Sequence, residues 1–327
     1  MTKQNLAEGL AKRAWNCQDT HAIFMNRSLL LLLALLSLSA RIPAQTPPAT
    51  PAPATLAKPA RSFTVQVTGH GKPMLLIPGL SCGGDVWKTS VEHFKDRYEC
   101  HVLTLAGFAG QPANGAPMLE TARKNVAAYI REKQLAAPVI VGHSLGAFLA
   151  YWIAATEPDL VGPVVAVDGG TFLPALMDPN ATLETAKVGA NALRELLAGQ
   201  TPEQFASQNK MFLATMITDP KNVELIAPTC AKSDPKAVGM AMYELMTTDL
   251  RDEVARIKVP VLLIGSGAFI TAPDMKKTVE ARYEAQVARV PNHKVLLAEK
   301  AKHFIMFDDP KFLFSAIDDF LAASPAR

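Results

Sequence analysis

The chain has 327 residues, 49% of them hydrophobic and 19% charged, the profile of a globular protein with a sizeable core. Its formal net charge of +3 is unevenly placed. Residues 1–61 hold seven Lys/Arg against two acidic residues, so the remainder is slightly negative and offers no basic surface for nucleic acid.

Taken in order, the chain opens with a stretch that shows no usable apolar periodicity. Arg27 then precedes Ser28-Leu29-Leu30-Leu31-Leu32-Leu33-Ala34-Leu35-Leu36 and the small residues Ser37 to Ala40. A basic residue, a short leucine run and small residues read as a secretory signal. A membrane span wants about 20 apolar residues, more than this run supplies, so no stable span is expected in the mature form. Thr46 to Thr55 is a Pro/Ala/Thr tract that buries nothing and reads as an extended linker. The expected organisation is a signal and upstream segment at 1–44, a linker at 45–61 and a folded domain at 62–327. Export, to the periplasm or outside the cell, places that domain in an oxidising compartment where disulfides are permitted. Cys82, Cys100 and Cys230 allow at most one bridge, with one thiol left over. No CxxC or Cys/His spacing suggests zinc.

Phe63 to Val67 alternates and predicts an antiparallel edge strand, turned by Gly69-His70-Gly71. Pro73 to Ile77 is a buried strand ending in Pro78-Gly79. A helix over Val86–Phe94 and a strand over Tyr98–Leu105 follow, then a helix over Met118–Lys133 and a strand at 138–141. The pentapeptide Gly142-His143-Ser144-Leu145-Gly146 comes next, leading into a helix to about Thr156. This is a G-x-S-x-G motif between a buried strand and a helix, the context of a nucleophile elbow. A serine there sits on a strained turn with its hydroxyl presented above the sheet edge, and residues two positions away must lack bulk. Gly142 and Gly146 meet that need, so Ser144 is the candidate nucleophile. The bland alternative is a glycine-flanked turn of any α/β protein.

Leu160 to Val167 predicts another strand, ending at Asp168-Gly169-Gly170. Strands alternating with helices imply a parallel sheet covered on both faces. From about 171 to 258 the pattern is helical with no clear strand. Val259–Ile264 resumes the alternation, followed by a helix near Asp274–Val287, a strand at Lys294–Leu297 and a last helix over Pro310–Leu321.

Elbow, strand–helix order, helical insert and a late histidine together resemble the α/β-hydrolase superfamily, over about residues 62–325. The resemblance implies a mostly parallel central sheet with helices on both faces. It also implies a helical cap at about 171–258, inserted after the strand that looks like the superfamily's sixth. The base should follow the last strand, and Ala301-Lys302-His303-Phe304 fits, making His303 the candidate. The acid is where the sequence departs from the pattern. The commonest loop for it reads Gly265-Ser266-Gly267-Ala268-Phe269-Ile270 and holds no carboxylate. Asp168, at the end of the strand after the elbow helix, is the assignment made, with Gly169-Gly170 leaving room for an imidazole. Asp274, or no acid at all, stays open, although Pro273-Asp274 looks like a helix start. The oxyanion donors implied are the amides of Leu145 and of Leu80, the latter in Pro78-Gly79-Leu80 where the superfamily usually has His-Gly. Ser81, Cys82, Gly83, Gly84 and Trp87 are expected to complete a flexible rim. Apolar cap residues, among them Phe172, Met211, Met216 and Met246, are the candidates to line a substrate pocket.

These readings predict an exported serine hydrolase of carboxylic esters or lactones with small to medium apolar groups, working through an acyl-enzyme. No metal or organic cofactor is implied, and the expected partner is a small ester-like molecule. Carbon–carbon bond hydrolysis or perhydrolysis on the same triad, and a non-catalytic ligand-binding homologue, are the alternatives. An envelope-tethered scaffold is a third.

Overall fold

A computed structural model of the protein describes residues 62–324; the signal and linker readings lie outside them. Strands β1 (Phe63–Thr68), β2 (Lys72–Ile77), β3 (Tyr98–Leu105), β4 (Val139–His143), β5 (Val164–Val167), β6 (Val261–Ser266) and β7 (His293–Ala298) form one sheet. Their order is β1-β3-β2-β4-β5-β6-β7. Every pairing is parallel except that of β1 with β3 at the edge.

The central strands β4, β5 and β6 are buried at every position and mostly apolar, because both their faces are covered. Successive residues of a strand point to opposite sides. Leu75, Ile77, Ile140, Val164, Ala166 and Leu263 therefore join one core, and Met74, Leu76, Val139, Val141, Val165 and Leu262 join the other. Helices α1 (Lys88–Phe94), α2 (Met118–Glu132) and α3 (Leu145–Thr156) supply Phe94 to the second core and Leu119, Val126 and Phe148 to the first. Between Leu145 and Ala155 only Trp152 escapes full burial, so α3 is apolar around its whole circumference and is packed on all sides.

Strands β5 and β6 start later than their apolar runs: β6 begins at Val261 rather than Val259, behind Pro260. β5 begins at Val164 rather than Leu160, because Pro163 has no N–H for the ladder and Gly162 lies against the Ala137 carbonyl. A Cβ on Gly162 would sit 2.4 Å from that oxygen.

Between β5 and β6 the described residues contain helices and turns only. The α-helices are α4 (Leu173–Met177), α5 (Leu183–Ala198), α6 (Pro202–Met216), α7 (Pro220–Cys230) and α8 (Pro235–Thr247), followed by a 3-10 turn at Glu253–Arg256. Proline opens three of them behind a capping residue. Thr201 accepts from the Gln204 N–H, Asp219 from Lys221 and Asp234 from Lys236. Among the insert's helices, α4 is five residues long, and Pro228 sits inside α7.

Hydrogen bonds close this insert on itself and tie it to the sheet layer. The Leu250 N–H donates to Thr171 O at 3.0 Å, closing the insert's two ends on each other. Gln286, on α9 (Pro273–Val287), accepts from the N–H groups of Thr171 and Phe172 at 3.0 and 2.9 Å. The Glu244 carboxylate of α8 accepts from Met118 and Leu119 at the N-terminus of α2, where the helix dipole favours an anion. After β7 the chain makes the short helix α10 (Ile305–Asp308) and closes with α11 (Pro310–Ala323), which returns Leu313 and Ile317 to the second core.

Candidate active site

The C-terminal ends of β2, β4, β5 and β6, and the loop after β7, meet at one edge of the sheet, where α/β folds place their ligands. Register brings the key residues together. His143 pairs with Val167, so Ser144 and Asp168 are the next residue on each strand. Ile77 pairs with Gly142, which sets Gly79 and Leu80 beside them.

Ser144 has φ 53° and ψ −114°, a region that a side chain rarely occupies and that costs about 1–3 kcal/mol. Its N–H donates to Val167 O at 2.9 Å, and its carbonyl accepts from Ala147 and Phe148 in the first turn of α3. The buried α3 offsets the strain, since each fully buried Leu, Ile or Phe contributes about 1.5–3 kcal/mol. The flanking glycines are obligatory. A Cβ on Gly142 would lie 2.2 Å from Gly146 O, and one on Gly146 would lie 2.2 Å from Ile77 O.

Asp168 follows β5 with φ 46°, a left-handed conformation that aspartate tolerates. Its Oδ2 accepts from His303 Nδ1 at 2.6 Å. Its Oδ1 accepts from the Ser266 N–H at 2.8 Å and the Tyr283 hydroxyl at 2.5 Å. The last residue of β6 therefore supplies a donor to the carboxylate that follows β5. Gly265 makes room for it: a Cβ there would meet the Tyr283 ring at 2.3 Å. Asp274 lies exposed in the first turn of α9, and no hydrogen bond joins it to His303.

Burial alone would push the Asp168 carboxyl up. The hydrogen bond and charge of His303, with the Tyr283 hydroxyl and Ser266 amide, outweigh it and hold the carboxyl below its usual range. Burial and the neighbouring carboxylate push the Tyr283 phenol well up, so it stays a donor. His143 is fully buried, with its ring centroid 4.6 Å from that of His303. Burial, then the charge of His303, lower it to about 3, so it is a neutral imidazole. Its Nε2–H donates to His303 O at 3.1 Å and steadies the loop that carries the ring. Among the described residues no hydrogen bond joins Ser144 Oγ to His303. The N–H groups of Leu80 and Leu145 donate to no backbone carbonyl among the described residues, and Leu145 opens α3.

The structure thus brings Ser144, Asp168, His303, Leu80 and Leu145 to one place. The pocket candidates fare differently. Phe172 is fully buried with the Arg251 guanidinium 4.7 Å over its ring, so it offers no free face. Met211 is 51% exposed on α6, and Met246 is partly buried outside both cores. Met216 alone touches the histidine segment, its carbonyl accepting from the Phe304 N–H at 3.3 Å.

Two expectations about small residues need correcting. Gly169 makes way for the elbow and not for an imidazole, since a Cβ would meet Ser144 O at 2.5 Å; Gly170 makes way for Gln286 in the same manner. The rim after Leu80 is not loose: Ser81, Cys82 and Trp87 are buried at 4%, 1% and 0% exposure. Tyr283, Ser266 and the His143–His303 contact escaped the sequence reading; Gly265, unexplained there, was the only trace of Tyr283. Cys82, Cys100 and Cys230 are free and buried. Among the described residues no cluster of His, Cys, Asp or Glu could hold a metal, and no helix is long and apolar enough to cross a membrane.

Comparison with known proteins covers the same region. The pimeloyl-[acyl-carrier protein] methyl ester esterase of Aliivibrio fischeri is 24% identical over 257 residues, 75% of this chain and 92% of the relative. The 2-(acetamidomethylene)succinate hydrolase of Mesorhizobium japonicum is 26% identical over 277 residues, 80% of this chain and 92% of that protein. Among solved structures, a thermophilic esterase from Thermogutta terrifontis, bound to malate, superposes with a TM-score of 0.64 at 19% identity, covering 80% of this chain and 93% of its own. The sequence profile of the alpha/beta hydrolase family matches residues 74–316, which include the elbow, the Asp168 strand end and the His303 loop. With sheet order, strand-end placement and profile in agreement, the chain belongs to the alpha/beta hydrolase family.

Proposed function

We propose that this hydrolase is a serine enzyme that cleaves carboxylic esters or lactones of small to medium apolar substrates through an acyl-enzyme. The observation that carries the reading is the 2.6 Å Asp168–His303 pair at the strand end next to Ser144. A serine hydroxyl is a weak nucleophile at neutral pH and needs such a base. Ser144 Oγ attacks the acyl carbon while His303 Nε2 takes its proton; Asp168, held on Nδ1–H, fixes the tautomer and stabilises the imidazolium. The Leu80 and Leu145 amides receive the negative charge on the carbonyl oxygen. The imidazolium returns the proton to the leaving alcohol, and water activated by His303 then releases the acid.

Relatives named as a methyl ester esterase and a succinate-derivative hydrolase support acyl transfer to water. The preference for an apolar acyl or alcohol group rests on the apolar composition of the cap segment alone. Export to the periplasm or beyond belongs to the same proposal and rests on the leucine run at 29–36.

A fluorophosphonate probe and a panel of aryl esters of increasing acyl length test the reading. Wild type should be labelled and turn over the shorter esters, and Ser144→Ala should do neither. A wild-type chain that stays unlabelled and inert would instead be a binder, and esterase activity surviving in Ser144→Ala would end the serine mechanism.

A further inference from the structure

The turn that carries Leu80 is built from an unfavourable residue. Cys82 N–H donates to Gly79 O at 3.2 Å, so Gly79 to Cys82 form a β-turn with Leu80 and Ser81 at its corners. Ser81 has φ 58° at the third position, where the type II turn ordinarily takes glycine or asparagine. A serine there tends to relax to negative φ unless its surroundings hold it.

The surroundings come from the cap, at separate points. Ser233, in the connection between α7 and α8, donates its hydroxyl to Ser81 O at 2.9 Å. The same Oγ accepts from Ala109 N–H at 2.8 Å, so this buried hydroxyl is fully paired. Asn209 of α6 donates from Nδ2 to Ser81 Oγ at 3.0 Å. Beside them the Cys230 and Cys82 thiols, both buried, lie 3.8 Å apart. Both polar groups of Ser81 beyond its N–H are thus fixed by side chains of the insert.

We propose that the cap is part of the catalytic apparatus, with Ser233 and Asn209 acting as positioning residues that lock the Ser81 turn and so aim the Leu80 N–H. This rests on the hydrolase reading above and deepens it: the cap selects substrate and also sets the oxyanion donor. Neither residue touches the reacting atoms; each acts through Ser81.

Two measurements test it. The first compares Ser233→Ala, Asn209→Ala and Ser233→Thr on an aryl ester and its thionoester, whose sulfur accepts hydrogen bonds poorly. Loss of one aimed contact should lower kcat on the oxoester about tenfold, with KM within about twofold and a smaller loss on the thionoester. Ser233→Thr, which keeps the hydroxyl, should restore most of it. Equal losses on both substrates, or a change confined to KM, would overturn the proposal. The second measurement needs no turnover. Amide exchange over 79–82 in Ser144→Ala should quicken about tenfold when Ser233→Ala or Asn209→Ala is added. Unchanged exchange there overturns the clamp even if the protein is an active esterase. If wild type shows neither labelling nor turnover the catalytic reading falls instead, and exchange alone decides whether the cap holds the turn. Asn209 is only partly buried, so its variant serves if Ser233→Ala fails to fold.

Discussion

The two sides of the site are held by different means. On the sheet side Ser144 and Asp168 leave adjacent parallel strands in fixed register, and close backbone approach at Gly142, Gly146 and Gly169 locates the elbow. On the cap side, side-chain hydrogen bonds take a large share: Ser233 and Asn209 on Ser81, and Gln286 on Thr171 and Phe172, beside backbone bonds at Met216 and Asp234. Backbone ladders tolerate no adjustment, whereas side-chain contacts can be exchanged residue by residue. A family that keeps its chemistry and varies its substrates profits from that division.

The comparison is broken most severely at the acid. Asp168→Asn keeps the shape but holds the wrong imidazole tautomer, and ester turnover should fall about ten-thousandfold. Asp274→Asn should leave it unchanged; the reverse pattern would move the acid to α9. Gly146→Ala comes next, since its methyl would meet Ile77 O at 2.2 Å. It should destabilise the fold by about 4 kcal/mol or more in urea unfolding, because a backbone atom must move.

The buried imidazole beneath the site gives the third effect. His143 is depressed in the folded chain to about 3, whereas unfolded it titrates near 6.5. Below that unfolded value the unfolded state binds the extra proton, so stability is full above about pH 6.5 and falls as pH drops toward 3. The expected slope is about 1.4 kcal/mol per pH unit inside that window. His143→Gln should flatten it in denaturation curves taken at pH 4.5 and 5.5; an unchanged slope would mean that other groups set the acid sensitivity.

Tyr283→Phe removes one of the three donors to Asp168. Turnover should fall about threefold to tenfold, with the acid edge of the pH–rate profile moving to higher pH as the carboxyl becomes easier to protonate. Met211→Ser sharpens the comparison from the cap side. An exposed methionine contributes little, so stability should change by less than about 0.5 kcal/mol and aryl ester kcat should hold. A large loss of activity would restore Met211 to the substrate pocket.

Local pattern made the sheet layer readable. Apolar runs bounded by glycine and proline marked the strands because both faces are buried, and G-x-S-x-G announced its own turn because the glycines are needed sterically. The insert was readable as helical, yet its side-chain roles were not. Phe172 and Met211 are equally apolar in sequence, and one is wholly buried while the other is half in water. Periodicity reports that a residue is apolar; which neighbour covers it depends on helix packing across the insert.

The chain's own order of residues determined a doubly covered parallel sheet and a strained serine between two glycines, since each follows from local sterics or alternation; the family resemblance singled out the histidine after the last strand. Only the tertiary structure decided that Asp168 holds that histidine, that Tyr283 and Ser266 share the carboxylate, and that cap side chains grip Ser81. Those contacts join residues from 98 to 152 positions apart. No pattern within one segment encodes a partner so distant; the strand register and the path of the cap bring them together.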